Sequence, residues 1–443
     1  MTLTLLEKSQ MESVSGRVPA APGGIPATGL SLNVLAELLC KILFHAGRAR
    51  LQDLAGRIKL PTSLVEELVD FLRRERLCEV TSTSTALQRF YALTDLGRER
   101  AQDYLNQSQY AGPAPVTLDA YQARVRSQSI ADLIVKREDM SRAFSGIVVS
   151  GGTLDRLGAA MNSGRAIFLY GSAGAGKSYI AERLVGLLAD DVYIPHAILM
   201  RDHIVRLFDP DTHVAVEGSG AASPAAYGPA HADARWVRCR RPVVITGGEL
   251  TLDMLDLQFE RSARFYAAPP QLKANNGLLI IDDLGRQKVS PQELMNRWIV
   301  PLDRKLDYLA LHTGEKVMVP FDVTVVFCTN MAPAELADEA FLRRLGYKIH
   351  LGALDESQYR EVCEQVCQTF HISRNPAAID RLIARFHAEQ RPLLACTPRD
   401  LLGQVRDRAR YDGIHVELND ELIDWAWSNY FVSSGTEQSL SGQ

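Results

Sequence analysis

Three stretches of the 443-residue chain predict an α/β fold: a parallel sheet that carries chemistry, a helical lid after it, and a small module before it. The first is Ala166-Ile167-Phe168-Leu169-Tyr170, an apolar run of buried-strand type. It feeds into Gly171-Ser172-Ala173-Gly174-Ala175-Gly176-Lys177-Ser178, after which Ile180, Leu184, Val185 and Leu188 recur at helical spacing. The second is Leu278-Leu279-Ile280-Ile281, which ends in Asp282-Asp283 as a central parallel strand does at its ligand-facing end. The third is the run from Ser31 to Leu93, three segments with helical apolar spacing followed by two short strands, with no internal repeat.

Composition sets the limits. Hydrophobic residues make up 46% and charged residues 23%, ordinary globular usage that excludes a wholly disordered or fibrous chain. Lys plus Arg is 49 against 53 Asp plus Glu, a net charge of -4, so a globally basic nucleic-acid coat is excluded. No apolar run approaches the roughly 20 residues that cross a bilayer, and no membrane span is expected. The first residues show no basic leader with a long apolar core, and the 7 cysteines are scattered without a CxxC pair. A cytoplasmic protein with buried, reduced thiols is expected.

In chain order, residues 1–29 hold Pro19, Pro22 and Pro26 among Gly and Ser and predict a flexible leader. Residues 30–105 begin with Ser31 as N-cap of a helix carrying Val34, Leu35, Leu38, Leu39, Ile42 and Leu43, which Gly47 ends. Leu51–Ile58 is a second helix, and a third starts at Thr62 with Leu64, Val65, Leu68, Val69, Phe71 and Leu72 apolar. Cys78–Thr81 and Phe90–Leu93 flank a Ser/Thr-rich turn as two strands. This arrangement resembles a winged helix-turn-helix domain. Residues 106–144 are expected to be a linker and linking helix, 145–353 the α/β core, 354–431 the helical lid and 432–443 a disordered tail.

Strand, glycine-rich loop and helix in this order is GxxxxGK[ST] in its required context. Gly171, Ser172, Ala173, Gly174, Ala175, Gly176, Lys177, Ser178 and Tyr179 are the candidate nucleotide-binding residues. The glycines let backbone N–H groups wrap a phosphate chain, Lys177 reaches the β- and γ-phosphates, and the Ser178 hydroxyl ligates Mg²⁺. Asp282 joins Ser178 as the second metal ligand, and Asp283 orients the attacking water. Asn330, which follows the apolar strand Val323–Cys328, is placed to orient the same water or to bond the γ-phosphate. Ile147–Leu157 is the segment expected beside the base.

Phosphate loop, strand with an acidic pair, strand ending in Asn, the pair Arg343-Arg344 and then Thr397-Pro398-Arg399-Asp400 resembles, in that order, the AAA+ ATPase family of P-loop NTPases. The resemblance covers about residues 145 to 430 and implies an Mg²⁺-dependent ATP hydrolase. It implies that Asn330 is sensor 1, Arg399 is sensor 2, and Arg344, with Arg343 as the alternative, is an arginine finger offered to a neighbouring subunit. It therefore implies a homo-oligomeric ring, usually a hexamer. Two departures stand out: Asp283 occupies a position where the family usually has Glu, and Lys177 and Asp282 are 105 residues apart. The surplus holds a hairpin-like stretch, Ala197–Met200 with His203–Phe208. A second, from Leu309 through Thr313-Gly314 to Val319, precedes the sensor 1 strand and resembles the pre-sensor-1 hairpin branch. Gly247-Gly248-Glu249-Leu250 and Asp282–Gln287 resemble bacterial ATPases predicted to be chaperones linked to pilus assembly.

The substrate is the open question. From Leu30 to Tyr104 there are 11 Lys/Arg and 10 Asp/Glu, a balance of +1, and the would-be recognition helix opens with Glu66, Glu67 and Asp70. Acids there repel a phosphate backbone, which favours a protein contact over DNA. Arg235-Trp236-Val237-Arg238-Cys239-Arg240-Arg241 is the most basic run and reads as a strand with one solvated face in preference to a track for nucleic acid. The expected function is ATP-driven remodelling of a protein partner. A DNA-associated ATPase or transcription regulator is the alternative, and a nucleotide-dependent scaffold with slow turnover is the second.

Overall fold

The computed structural model describes residues 18–82, 89–216, 232–336 and 339–431. The first part of the expected leader, the centre of the Ser/Thr-rich turn and the expected disordered tail lie outside the described residues.

The strand Ala166–Tyr170 sits inside a five-stranded, all-parallel sheet. Its order is Val243–Thr246, Gly277–Ile281, Val323–Thr329, Ala166–Tyr170, Leu345–His350. Successive side chains of a strand point to opposite faces, and here both faces are buried. Ile167, Leu169, Leu278, Ile280, Val326 and Cys328 enter one core, shared with Leu157 and Ile180. Ala166, Phe168, Leu279, Ile281, Val325 and Phe327 enter the other, against Trp298. Near-continuous apolar runs are therefore what these strands require, and the C-terminal ends of all five lie at one edge of the sheet.

The lid is four helices, Glu356–Phe370, Pro376–Ala388, Thr397–Tyr411 and Asp420–Tyr430, around a separate core built on Tyr359, Phe386 and Trp427. Three of these helices have built starts, the Asn375 side chain accepting from Ala378 N at 3.2 Å. The Asp355 side chain accepts from Gln358 N, and that of Asn419 accepts from Leu422 N.

The N-terminal module has the helices Leu32–Ala46, Leu51–Ile58 and Thr62–Arg74 and the strands Cys78–Ser82 and Arg89–Leu93, close to the expected ranges. The Ser31 hydroxyl accepts from Val34 N at 3.3 Å as its N-cap. A third strand, Arg48–Arg50, completes an antiparallel sheet with Arg89–Leu93 in its centre. Three residues between two helices carry too little periodicity to be read as a strand.

Between module and core lies an inserted sheet: Gln258–Glu260, Phe265–Ala267, His203–Arg206, Ala197–Met200 and Val116–Thr117. Ala197–Met200 and His203–Arg206 form the expected hairpin. Its alternation serves two masters. Ala197, Leu199, Ile204 and Phe265 pack on the N-terminal module, while Ile198, Met200, Val205 and Tyr266 face a core shared with Leu309, Leu311, Val317 and Val319. Those four residues belong to the second expected hairpin, Leu306–Ala310 with Lys316–Pro320, or flank its turn.

Four expectations need correction. Residues 18–29 are not a loose leader: Ala20 bridges Ala232, Asp233 N donates to Pro19 O at 2.7 Å, and Thr28 is buried. The linker is likewise built in, since Tyr110 and Ala114 are buried, Ala114 N donates to Ile58 O at 2.8 Å, and Val116–Thr117 is a strand of the insert. Arg235 and Arg241 are buried and ion-paired, not solvated charges, although the Asp190 carboxylate that holds Arg241 is half exposed. Arg235 holds Asp233 while its Nη1 reaches Thr28 O at 3.1 Å and Pro115 O at 3.3 Å, so one side chain ties leader and linker together. Only Arg238 and Arg240 form the exposed face of the strand Trp236–Arg240. Last, the helix after the phosphate loop ends at Arg183 and tightens into a 3₁₀ turn, Leu184–Leu187, where Gly186 lies against Ala143.

The 7 cysteines are free and six are buried. Among the described residues no helix is long and apolar enough to cross a membrane.

His196, where the insert meets the module, gives a pH prediction. Burial, with the Lys59 ammonium adding to it, pushes its imidazole from 6.5 down to about 4. The unfolded chain binds that proton first, so its contribution to stability is full above 6.5 and is lost as pH falls toward 4. Melting temperatures are expected to drop between pH 7 and 5, and His196→Gln to flatten that drop. An equally steep drop in the variant would exclude His196 as its source.

Candidate functional site

Tyr170 ends its strand, and the backbone turns sharply at Gly171, with φ 141°, where a Cβ would lie 2.0 Å from Leu351 O. Gly174 has φ 82°, and a Cβ there would lie 2.4 Å from Cys396 Sγ of the lid. Only glycine suits both places. The loop thus curls between two other segments, and Cys396 N donates to Gly174 O at 3.1 Å. The helix Lys177–Arg183 starts as the loop ends.

Lys177 is buried at 8% exposure. Its Nζ donates to Gly171 O at 3.0 Å, to Ser172 O at 2.8 Å and to Asn330 Oδ1 at 2.7 Å. Burial holds its pKa below the ordinary lysine value, and the charges of Asp282 and Asp283 only partly oppose that shift. A desolvated ammonium ringed by acceptors at a strand edge is a receptor for an anion.

The acidic turn is stitched to its neighbours. Asp282 N donates to Thr246 O at 2.8 Å, Leu284 N to Cys328 O at 2.8 Å, and the Thr329 hydroxyl to Leu284 O at 2.7 Å. Asp283 has φ 49°, and its N–H donates to Asp282 Oδ1 at 2.9 Å. Asp283 Oδ2 faces Arg286 Nη1 at 3.8 Å. Gln287 braces the turn from inside. Its Nε2 donates to Gly247 O, Asp282 O and Asp283 O, while its Oε1 accepts from Gly285 N at 2.8 Å. Gln287 falls in the stretch Asp282–Gln287 noted for its resemblance, but nothing in the sequence marks it as a brace, because a glutamine in a loop is ordinarily solvated.

Most of the candidates converge on one cleft of about 1430 Å³ between sheet and lid. Its lining includes Ala173 to Tyr179, Asp282, Asp283, Asn330 and Arg399. Arg399 projects, exposed, from the first turn of the helix Thr397–Tyr411, whose Asp400 accepts from Tyr430 Oη at 3.0 Å. Of the segment Ile147–Leu157, residues Ile147 to Ser150 and Thr153 line the cleft, opposite Leu354, Val362 and Val366. Tyr179 is exposed and bonds Arg183 at 2.9 Å. Arg343 and Arg344 do not line the cleft. Arg344 Nε pairs with Asp303 at 2.6 Å, and Arg343 pairs with Glu339 at 3.0 Å, both at the start of the edge strand Leu345–His350.

Ser178 and Asp282 suit a small hard cation by their chemistry, since a hydroxyl and a carboxylate are oxygen donors. Among the described residues the Ser178 hydroxyl makes no hydrogen bond, and no cluster of three or more His, Cys, Asp or Glu competes as a metal site.

Among known proteins, the profile of one family, Domain of unknown function (DUF8689), matches residues 355–429, the lid. No curated protein matches the chain. Among solved structures it is similar to NtrX from Brucella abortus, at 15% identity and a TM-score of 0.40, over 67% of this chain and 59% of that one. NtrX in complex with ADP gives 16% and 0.39, over 77% and 68%. The Thermotoga maritima RuvB Holliday junction branch migration motor gives 14% and 0.35, over 67% and 70%. The chain thus spans less than two thirds of the first of these. Its own geometry shows a P-loop NTPase sheet closed by a helical lid, with motifs in an order that resembles the AAA+ family.

Proposed function

We propose that this chain is an Mg²⁺-dependent ATP hydrolase whose cycle, in a homo-oligomeric ring, remodels a protein partner. The observation that carries the proposal is the 2.7 Å contact between Lys177 Nζ and Asn330 Oδ1, at the mouth of a cleft that also holds Ser178, Asp282 and Asp283. Lys177 binds the β- and γ-phosphates of ATP, which take over its bonds to the loop carbonyls. Ser178 and Asp282 would hold Mg²⁺, which when bound neutralises charge on the phosphate oxygens. Asp283 and Asn330 orient a water in line with the γ-phosphorus. The bond from water oxygen to phosphorus forms as the bond to the β-bridging oxygen breaks. Arg399 reaches the nucleotide from the lid, and Arg344 or Arg343 reaches the nucleotide of the next protomer. Ile147 to Val149 and the apolar lid residues opposite provide a surface for the base.

Glu66 and Glu67 are exposed on the helix that would enter DNA, which weighs against the DNA-associated alternative. One observation favours slow turnover. Asp283 is a short acid in a left-handed backbone conformation, facing Arg286. Phosphate release at saturating ATP and Mg²⁺ tests the enzyme reading, and omission of Mg²⁺ is expected to stop it. Binding without any release would leave the scaffold. For the partner, an Asp283→Asn chain loaded with ATP is expected to retain one protein reproducibly. Retention of DNA alone would favour the alternative.

Gln287→Ala is expected to lower kcat about tenfold with KM for ATP nearly unchanged, because the turn that aims Asp282 and Asp283 loses its brace. A rise in KM alone would show that Gln287 serves binding.

A further inference from the structure

Outside the cleft, the N-terminal module carries two charged faces whose Arg48, Arg50, Glu66 and Glu67 side chains form no ion pair among the described residues. On the outer face of its sheet, Arg48 and Arg50 are exposed, and their guanidinium carbons stand 5.5 and 5.1 Å from the centre of the Phe90 ring. The register places them together, since Arg50 is opposite Phe90 and Arg48 is opposite Ala92. The alternate residues Ala49, Tyr91 and Leu93 are buried, so this basic face points away from the module's core. On the helix Thr62–Arg74, Leu64, Val65, Leu68, Val69 and Leu72 enter the same core and leave Glu66 and Glu67 exposed. Among the described residues, Arg48, Arg50, Glu66 and Glu67 form no ion pair, whereas Asp70 is taken by Arg73 at 3.1 Å.

We propose that these faces meet between copies: the Arg48–Arg50–Phe90 face of one module docks on the Glu66–Glu67 face of the module in the next protomer. The inference rests on the ring reading above and adds a second interface to it. Charge complementarity selects the occupant. The module's balance of +1, with Glu79 at the rim of the basic face, does not make the continuous basic track that a phosphate backbone needs. Joining two different faces is a heterologous, head-to-tail contact, which closes into a ring when the rotation allows. The module is fixed to the ATPase side, with Gln109 N donating to Ala263 O at 2.9 Å and Ala197, Leu199 and Phe265 in its core. A contact between modules therefore bears on the position of the whole protomer.

Sedimentation velocity of the full chain with ATP, at rising NaCl, tests this with three variants. They are Arg48→Glu/Arg50→Glu, Glu66→Arg/Glu67→Arg, and all four changes together. Each pair alone is expected to raise the dissociation constant of the assembly at least about tenfold, and the combined variant to return to within about threefold of the original. Added salt is expected to weaken the original and combined chains alike. Assembly indifferent to both reversals overturns this docking and leaves the ring reading standing. A chain that stays monomeric with and without nucleotide overturns both. If Arg48→Glu/Arg50→Glu instead abolishes binding of a single-stranded oligonucleotide that Glu66→Arg/Glu67→Arg tightens, the basic face belongs to nucleic acid and the docking is wrong.

Discussion

Lys177→Ala abolishes ATP binding in the micromolar range and reduces hydrolysis at least about a hundredfold. The reason lies in the surroundings of the ammonium. It is 8% exposed, it is held by two loop carbonyls and by Asn330, and burial lowers its pKa. A cation in that position gains most from an anion that replaces lost water, and the loop around it offers N–H groups to the same anion. Alanine removes the charge and leaves those carbonyls without their donor. The loop itself is held elsewhere, by Gly174 against Cys396 and by Gly171 beside Leu351, so the fold survives. Circular dichroism should match the parent chain while a fluorescent ATP analogue no longer binds. Full turnover in this variant would remove Lys177 from the mechanism.

Arg344→Ala spares nucleotide binding and cuts turnover by a factor on the order of 10³, the effect of losing an arginine supplied in trans. In its own protomer Arg344 lies outside the cleft, beside Asp303. It can act on ATP only across a subunit boundary. The intrachain ion pair supplies the control. Asp303→Asn removes the partner and keeps the guanidinium, so turnover is expected to persist. A merely structural role predicts equal damage from both changes. Mixing adds a sharper readout: Arg344→Ala and Lys177→Ala chains, each inactive alone, should recover part of the activity when mixed, because some interfaces then pair a sound loop with a sound arginine. If Arg344→Ala is neutral and Arg343→Ala is not, the finger is Arg343. If both are neutral, the shared-site reading fails.

Much of this architecture was legible because buried parallel strands and phosphate loops leave local marks. The apolar run Ala166–Tyr170 coincides with its strand, and the runs Leu278–Ile281 and Val323–Cys328 each fall one residue short of theirs. These strands are buried on both faces, so their sequences are near-continuous apolar runs. The three helices of the N-terminal module were legible from their 3.6 period and from Ser31 and Gly47 at their ends. What escaped has non-local causes. Proline-rich residues 18–29 and the linker look loose in isolation, and what fixes them lies far along the chain: the Ala20–Ala232 bridge, the pairing of Val116–Thr117 with Ile198 and Leu199, and the buried Arg235. The same arginine and Arg241 count as surface charge by composition, yet carbonyls of Thr28, Pro115, Gln128 and Asn276 and the Asp190 carboxylate, from distant segments, enclose them together with the nearby Asp233. In the site, Gln287 and the Cys396–Gly174 contact depend on tertiary approach and leave no spacing to find. The short arginine-rich strand Arg48–Arg50 is invisible to periodicity, although its face carries the proposed docking between copies.

The central claim is that the loop from Gly171 to Ser178 holds a triphosphate. Titration calorimetry of the full chain with MgATP tests it most directly. One site per chain is expected, with a dissociation constant between about 1 μM and 1 mM, and no heat from the Lys177→Ala chain under the same conditions. A folded parent chain that gives no heat with ATP or ADP up to about tenfold above that range would contradict it.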